Sequence, residues 1–537
     1  MRKFSYVMMG ALTAASIFAF SGCGSGEIPD NVVMDEYKIT IACQSDEGEQ
    51  VVLEKLIAAY EKKNPDVQIE LETFTGQDFE VFMNGVSQDE ANSPNIIWTS
   101  DSYHARWEQY FTDLRPFYER SAETDYSLYY ESMLDTAAIN GKFKPTKNYK
   151  GEFRSDDLDT SDGLEEYYEH SQYGIYFAPR DYNKPTILCN TALLEMLDTQ
   201  YETYYKSKTG ASAMPTDYVS TTVRLNDIVE DKDWDELTDL FTFSKTIADR
   251  IQYVVSYAES LGTKGQKVKA QWQNKTVLDL KLDWEPSYVT ILNAMGVDNI
   301  IASDGTLNLS AHKDALEELH GYLYAQNNLY YAGEADTNFK DGDTLMKVVS
   351  RPALIAAEKN LSVIHKEYCN KYNKAPLQAI QIPTDAIAAG CSGYAINSIY
   401  HGKTIEVKGV KKTYDDLCWD FLKFVITEEG QEIAGATGNN IPILKSLYTE
   451  TKDGGTPAWR SISTFAGMDH DAWATGDDLV QNWYNIYKSN YRIKFRDTVA
   501  TFFRKFKMKT YSKGSLTELI KETNDNYNAA NPKGNLR

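Results

Sequence analysis

The chain has 537 residues, 42% of them hydrophobic and 25% charged, a mix that implies a folded protein of about two or three units. Its 78 acidic residues outnumber its 55 basic ones, giving a formal charge of −23. This balance excludes a global preference for nucleic-acid phosphates, which need clustered Lys and Arg, and it argues against flat adsorption to anionic lipid. Aromatic residues are abundant, with 37 Tyr and 9 Trp beside only 7 His.

The chain begins with a processing signal. Arg2 and Lys3 form a basic start, an apolar run extends from about Phe4 to Phe20, and Phe20-Ser21-Gly22-Cys23 closes it. The run is short for a membrane-spanning helix. Basic start, apolar run, small residues and Cys in this order resemble the lipobox of bacterial lipoproteins, with Phe20 where Leu is usual. A plain secretory signal is the alternative. Cleavage before Cys23 leaves 1–22 as leader, lipidated Cys23 and a tether to about residue 35. Diacylglycerol on Cys23 supplies two acyl chains, with palmitate the expected fatty acid, and two chains suffice for stable anchoring.

Beyond the tether, Tyr37–Cys43 alternates around Ile39 and Ile41 and reads as a strand. A helix is expected from about Glu49 to Lys63, since Val52, Leu53, Leu56, Ile57 and Tyr60 fall on one face and Asn64-Pro65 stops it. Val67–Leu71 is a second strand, Phe79–Val86 a second helix, and Asn95–Trp98 a third strand. Strand, helix and strand at this spacing form a βαβ pattern. The stretch Gly141–Gly174 is polar and acidic and reads as a surface insertion. Asp157, Asp159, Ser161 and Asp162 suggest a calcium loop only superficially: the Gly that such a loop needs at its sixth position falls one place late, at Gly163.

Tyr176–Pro179, Thr186–Cys189, Gln378–Ile382 and Ala388–Ile396 read as further strands. Helices are expected at Ala192–Leu197, Trp234–Leu261, Tyr288–Met295, Lys313–Ala325 and Tyr414–Ile426. There is no internal repeat and no low-complexity linker, so the chain is expected to cross between two α/β lobes more than once. The expected division gives 36–150 plus 385–445 to the first lobe, and 151–384 plus 446–537 to the second. After cleavage before Cys23, five further cysteines remain, Cys43, Cys189, Cys369, Cys391 and Cys418. They show no CxxC spacing, and all but Cys369 lie in apolar or small-residue contexts, so free and mostly buried thiols are expected. No metal or cofactor is called for.

Several segments together resemble the carbohydrate-type extracellular solute-binding proteins of ABC importers, the class that includes maltose-binding protein. They are Pro94-Asn-Ile-Ile-Trp-Thr-Ser-Asp-Ser-Tyr103, Phe111-Thr-Asp-Leu-Arg-Pro-Phe117, Asp233-Trp-Asp-Glu-Leu237 and Trp284-Glu-Pro-Ser-Tyr288. Trp419-Asp-Phe-Leu-Lys-Phe424, Glu428-Glu-Gly-Gln431 and Thr437-Gly-Asn-Asn-Ile-Pro442 extend the likeness, which covers roughly residues 36 to 445. The resemblance implies a two-lobed α/β periplasmic-binding-protein-like fold with a hinge and an interlobe ligand cleft. The insertion at 141–174 and the end after Leu444 have no counterpart, and no Trp stands near Arg351-Pro-Ala353, where some relatives place one in the cleft.

A sugar cleft needs aromatic rings for the C–H faces and carboxylates or amides for the hydroxyl rim. Trp98 with Asp101, and Trp284 with Glu285 and Tyr288, supply that combination. Trp98 can equally be a core aromatic, and Asp101, with Ser102, a helix cap. Gln44, Ser45 and Asp46 end the first strand, where doubly wound lobes meet ligand, or form an ordinary capped turn. Arg180 and Asp181 either touch ligand or pair across the hinge. Ser392 faces the cleft or sits in a tight strand turn. Asn439 and Asn440 fit helix caps. Trp459, Trp473 and Trp483 line the cleft or shield the core.

The resemblance therefore implies a non-enzymatic, monomeric receptor on the outer face of the cytoplasmic membrane. It would bind a carbohydrate and dock on ABC permease subunits. A membrane-anchored glycoside hydrolase and a glycan-binding surface protein without transport are the alternatives. Acidic pairs are unavoidable among 78 acidic residues and so do not favour the hydrolase.

Overall fold

The computed structural model describes residues 36–44, 47–85, 93–101, 107–138, 142–146, 173–209, 224–231, 234–297, 300–302, 306–324, 342–354, 363–384, 387–438, 440–448, 450–461, 471–473, 492–508 and 515–530. The leader, Cys23 and the superficial calcium loop lie outside these residues.

The chain opens with β1 (Tyr37–Gln44), α1 (Glu47–Lys63), β2 (Val67–Phe74), α2 (Gly76–Gly85) and β3 (Ile96–Ser100). β1 pairs in parallel with both β2 and β3. Ile39, Ile41, Ala42 and Cys43 are fully buried, as expected of a parallel strand covered on both faces. α1 packs Val52, Leu53 and Leu56 into the same core.

Next come β4 (Ala178–Asn183) and β5 (Thr186–Cys189), separated only by Lys184-Pro185. They belong to different sheets. β4 pairs antiparallel with a later strand, β9 (Gly390–Ile396), while β5 pairs with β7 (Thr344–Val349) and β8 (Gln378–Gln381). The sequence places the first of these strands at 176–179; the structure carries it past Pro179 to Asn183. Its register shifts between Pro179 and Asp181, where the proline has no N–H to give to the ladder.

The next segment holds α3 (Thr191–Thr209), α4 (Leu237–Ser260), β6 (Thr276–Asp279), α5 (Glu285–Ala294), β7 (Thr344–Val349) and β8 (Gln378–Gln381). α4 is opened by a reciprocal cap in which the Glu236 side chain serves the N3 backbone and Asp239 serves the Glu236 backbone. β9 (Gly390–Ile396) then returns to the first sheet. A hairpin follows, β10 (Thr404–Val407) and β11 (Val410–Thr413), then α6 (Tyr414–Ile426), α7 (Glu428–Gly438) and β12 (Ile441–Pro442). The chain closes with α8 (Arg492–Met508) and α9 (Leu516–Ala530).

Two main sheets result, one six-stranded in the order β12-β4-β9-β3-β1-β2, the other four-stranded in the order β6-β7-β5-β8. The first sheet lies in one apolar core and most of the second in another, while Leu188, Val349 and Ala379 of the second sheet join the first core. The chain crosses between them at 184–185 and at 382–389, and after Ser461 its closing helices join the second core. β4 lies in the first sheet, and Trp459 and Trp473 lie in the first core. The sequence-based division assigned β4 to the second lobe, and the β4–β9 ladder places it in the first sheet. Among the described residues no helix is long and apolar enough to cross a membrane.

α8 and α9 carry no counterpart in the sequence reading. Their signal is nonetheless present: Phe495, Val499, Phe502, Phe503 and Phe506 repeat at three- and four-residue steps and are buried in the second core. Cys43, Cys189, Cys391 and Cys418 are buried, Cys369 is half-buried, and all five are free thiols.

Candidate functional site

A cavity of about 650 Å³ opens between the two sheets. Its size is within the usual range for a small-molecule site. From the first sheet it takes Gln44 at the end of β1, Trp98 and Ser100 of β3, Asp101, Arg180 and Asn183 of β4, and Gly390–Ser392 of β9. From the second lobe it takes Asp283–Pro286, Ser350, Pro352, Ala353 and four residues of α8, namely Arg496, Asp497, Ala500 and Arg504.

The strands dictate which side chains reach this space. Side chains alternate across a strand. In β3, Ile97 and Thr99 turn into the protein, while Trp98 and Ser100 remain half-buried on the cavity side. The Trp98 ring stands edge-on to Phe79, with centroids 5.9 Å apart. The Asp101 backbone N–H donates to the Cys391 carbonyl at 3.1 Å, so β3 and β9 fix where this carboxylate begins. Asp101 is 6% exposed yet lines the cavity.

Trp284 and Glu285 stand where α5 starts. Trp284 is the cap residue, and Pro286 falls in the first turn, where a missing N–H costs nothing. Trp284 is half-buried and Glu285 is buried against the cavity. Asp101 and Pro286 approach the same point of β9: a β-carbon added at Gly390 would lie 3.6 Å from Asp101 Oδ1 and 3.8 Å from Pro286 Cγ. The two lobes therefore meet at this glycine.

A buried ionic lattice backs the first-lobe wall. Arg180 donates through Nε to Asp181 Oδ2 at 2.8 Å and through Nη1 to the Tyr394 hydroxyl at 2.8 Å and to Glu49. The Tyr394 hydroxyl donates to Glu49 at 2.6 Å. Ser392 Oγ donates to Asp181 Oδ1 at 3.1 Å, and Asn440 Nδ2 donates to Asp181 Oδ2 at 2.7 Å. Burial opposes the Arg180 charge, but Asp181 and Glu49 outweigh it and hold the guanidinium above its usual pKa. Burial raises the Asp181 carboxyl, and the nearby Glu49 charge adds to that rise against the pull of Arg180. One guanidinium thus serves two carboxylates, and the wall keeps a negative bias.

Of the residues singled out in the sequence, Gln44, Trp98, Asp101, Arg180, Trp284, Glu285 and Ser392 share the lining of this one cavity. Tyr288 does not. It lies fully buried in the second core with its ring stacked on Phe503, centroids 5.4 Å apart, because the turn of α5 that carries it packs against α8. Ser45, Asp46, Ser102, Asn439 and Trp483 lie outside the described residues. Asn440 lines the cavity and bonds to Asp181. Trp459 and Trp473 are core residues that sandwich the buried Arg351 guanidinium, at 5.6 and 5.4 Å from their ring centroids.

Sequence reading missed Glu49, Asn183, Lys281, Asp283 and the α8 residues. Glu49 looked like an ordinary first-turn helix residue. Arg496 and Arg504 sit on the polar face of a helix whose apolar period was legible, but nothing local indicates that this face turns to a cleft. Among the described residues no cluster of His, Cys, Asp and Glu could hold a metal ion.

The family model for bacterial extracellular solute-binding proteins matches residues 55–460. Solved structures share the architecture at low identity. The GacH receptor of Streptomyces glaucescens, solved unliganded and with acarbose, is 13% identical, with a TM-score of 0.55 over 92% of this chain and 98% of its own. The sugar-binding protein MalE of Xanthomonas citri is 12% identical, with a TM-score of 0.58 over 92% and 96%. A sugar transporter protein of Rhizobium etli in an open conformation is 14% identical, with a TM-score of 0.55 over 92% and 99%. These likenesses establish the two-lobed α/β fold.

Proposed function

The chain belongs to the bacterial extracellular solute-binding protein family, and from that premise we propose that it is the substrate receptor of an ABC importer. It captures a sugar or oligosaccharide between its lobes and delivers it to a membrane permease. The observation that carries this reading is the pairing of two indoles with two carboxylates in one interlobe cavity. Trp98 and Asp101 come from one lobe, Trp284 and Glu285 from the other. Rings from opposite walls can stack on the two apolar faces of a pyranose, and the carboxylates accept its hydroxyl hydrogen bonds. The sugar-binding neighbours support the same ligand class.

Binding is coupled to motion. Only Lys184-Pro185 joins β4 to β5, so a small rotation there moves one wall against the other. No covalent step is required of any residue, and no cofactor takes part. The receptor acts as a monomer, anchored through lipidated Cys23 on the outer face of the cytoplasmic membrane.

A glycan array probed with the mature chain, followed by radiolabelled uptake in cells with and without its gene, tests the proposal. The expected result is a defined glycan whose uptake is lost with the gene. Binding without any effect on uptake would make it a non-transport glycan-binding surface protein. Sustained cleavage of the bound glycan, abolished by a single Asp or Glu substitution, would make it a hydrolase.

A further inference from the structure

One short stretch reverses the sign of this acidic protein. Residues 403–413, which contain the β10–β11 hairpin, hold Lys403, Lys408, Lys411 and Lys412 against the single acid Glu406. Glu406 stands directly opposite Lys411 in the register. The stretch therefore keeps a surplus of three positive charges on a chain whose formal charge is −23.

Its inner face is held firmly. Ile405 and Val407 are buried in the first core. The Tyr37 hydroxyl donates to the Val410 carbonyl at 2.8 Å, and the Lys412 ammonium lies 4.7 Å from the Tyr37 ring centroid. Its tip faces outward: Lys408, Gly409 and Lys411 are exposed, and Val410 is 55% exposed. Asp66 and Glu406 are the acids close to Tyr37, and Asp420 lies near Lys412, so the exposed part of the surplus rests on Lys408 and Lys411 at the tip.

Position gives this patch its meaning. Tyr37 begins β1, and Gln44 at its other end lines the cavity. Eight residues of strand span about 23 Å, so hairpin and cavity lie at opposite ends of one strand. Cys23 precedes Tyr37 by 14 residues, a length that spans at most about 50 Å even when fully extended. An acyl anchor at Cys23 thus keeps this end of the body near the bilayer, within reach of headgroups that the acidic remainder of the surface would avoid.

We propose that the hairpin at 403–413 is a membrane-docking element. Its lysines seat on anionic phospholipid headgroups and Val410 enters the interface, so that between deliveries to the permease the receptor rests with its cavity on the side away from the bilayer. This rests on the reading of Cys23 as the anchor. Screening over about 8 Å at physiological salt limits the attraction to charges at the surface itself, which is why a projecting tip suits the task.

The test supplies the anchor chemically, so that it does not depend on acylation in the cell. The mature chain carrying Cys369→Ser is coupled through the Cys23 thiol to a maleimide lipid. It is held on vesicles of phosphatidylcholine alone or of equal phosphatidylcholine and phosphatidylglycerol. Amine acetylation is read lysine by lysine by mass spectrometry, with exposed Lys267 on the second lobe as control. Lys408 and Lys411 should react at least fivefold more slowly on the anionic vesicles, since each lysine at such a surface contributes roughly fivefold. The difference should vanish in 0.5 M salt, and Lys267 should not change. Equal rates on both vesicles overturn the proposal. So does slowing that includes Lys267, which would be general adsorption, and so does protection that appears only when permease is present, which would assign the hairpin to a protein partner.

Discussion

Arg180 of β4 donates to Glu49 of α1, a link across 131 residues of sequence that ties sheet to helix beside the cavity. Arg180 is 2% exposed and also serves Asp181. Removing one partner of such a lattice leaves the others buried and charged, which typically costs about 3–5 kcal/mol. Arg180→Met should therefore lower stability in urea unfolding by that amount. Adding Asp181→Asn to it should recover part of the loss, because one of the two stranded carboxylates is then gone. A single substitution within 1 kcal/mol of the parent, on the order of an exposed pair, would show that the lattice does not hold the wall.

Trp284 and Tyr288 separate ligand binding from packing. Trp284 lines the cavity half-buried, while Tyr288 is fully buried against Phe503. Trp284→Ala should weaken glycan binding by on the order of 2 kcal/mol or more, roughly thirtyfold, with a small change in melting temperature. Tyr288→Ala should instead cost about 3–5 kcal/mol of stability as a core truncation. Calorimetric titration beside a thermal melt reads both, and the reverse pattern would remove Trp284 from the site.

Burial lowers the pKa of His365 to about 4. Between pH 6.5 and about 4 the unfolded chain binds a proton here that the folded chain does not. The stability this group contributes is therefore fully present above pH 6.5 and is lost as pH falls through that window. Its ceiling is about 3 kcal/mol. Urea unfolding at pH 7 and pH 4.5 should show His365→Gln losing less stability than the parent, by about 2 kcal/mol. Identical losses would mean that His365 titrates normally in the fold.

The family match ends at residue 460, yet α8 and α9 bury Phe495, Phe502, Phe503, Phe506, Leu519 and Ile520 in the second core. At about 1.5–3 kcal/mol for each buried side chain, these six contribute on the order of 10 kcal/mol. That is comparable to the whole stability of a typical domain. A chain ending at Arg460 should have an unfolded second lobe, seen as rapid proteolysis within residues 186–382. A truncated chain that resists protease as well as the parent would show the end to be an appendage.

Sequence alone pointed to the βαβ opening, since alternating strands flank a period-3.6 helix at crossover spacing. It also found α4 and α6, because apolar spacing is a local signal, and it set the start of α5 at Tyr288, three residues later than the structure does. Tertiary structure decided the rest. The two-residue step at Lys184-Pro185 looks like any loop until β4 and β5 are seen in different sheets. Tyr288 and Trp284 differ by one helical turn, and only the presence of Phe503 behind α5 makes one of them core. Glu49 joins the cavity wall through Arg180, and α8 brings Arg496 and Arg504 to the cleft from the far end of the chain. Contacts of this kind depend on which surfaces the fold lays together, and that is a property of the packed lobes that no stretch of neighbouring residues carries.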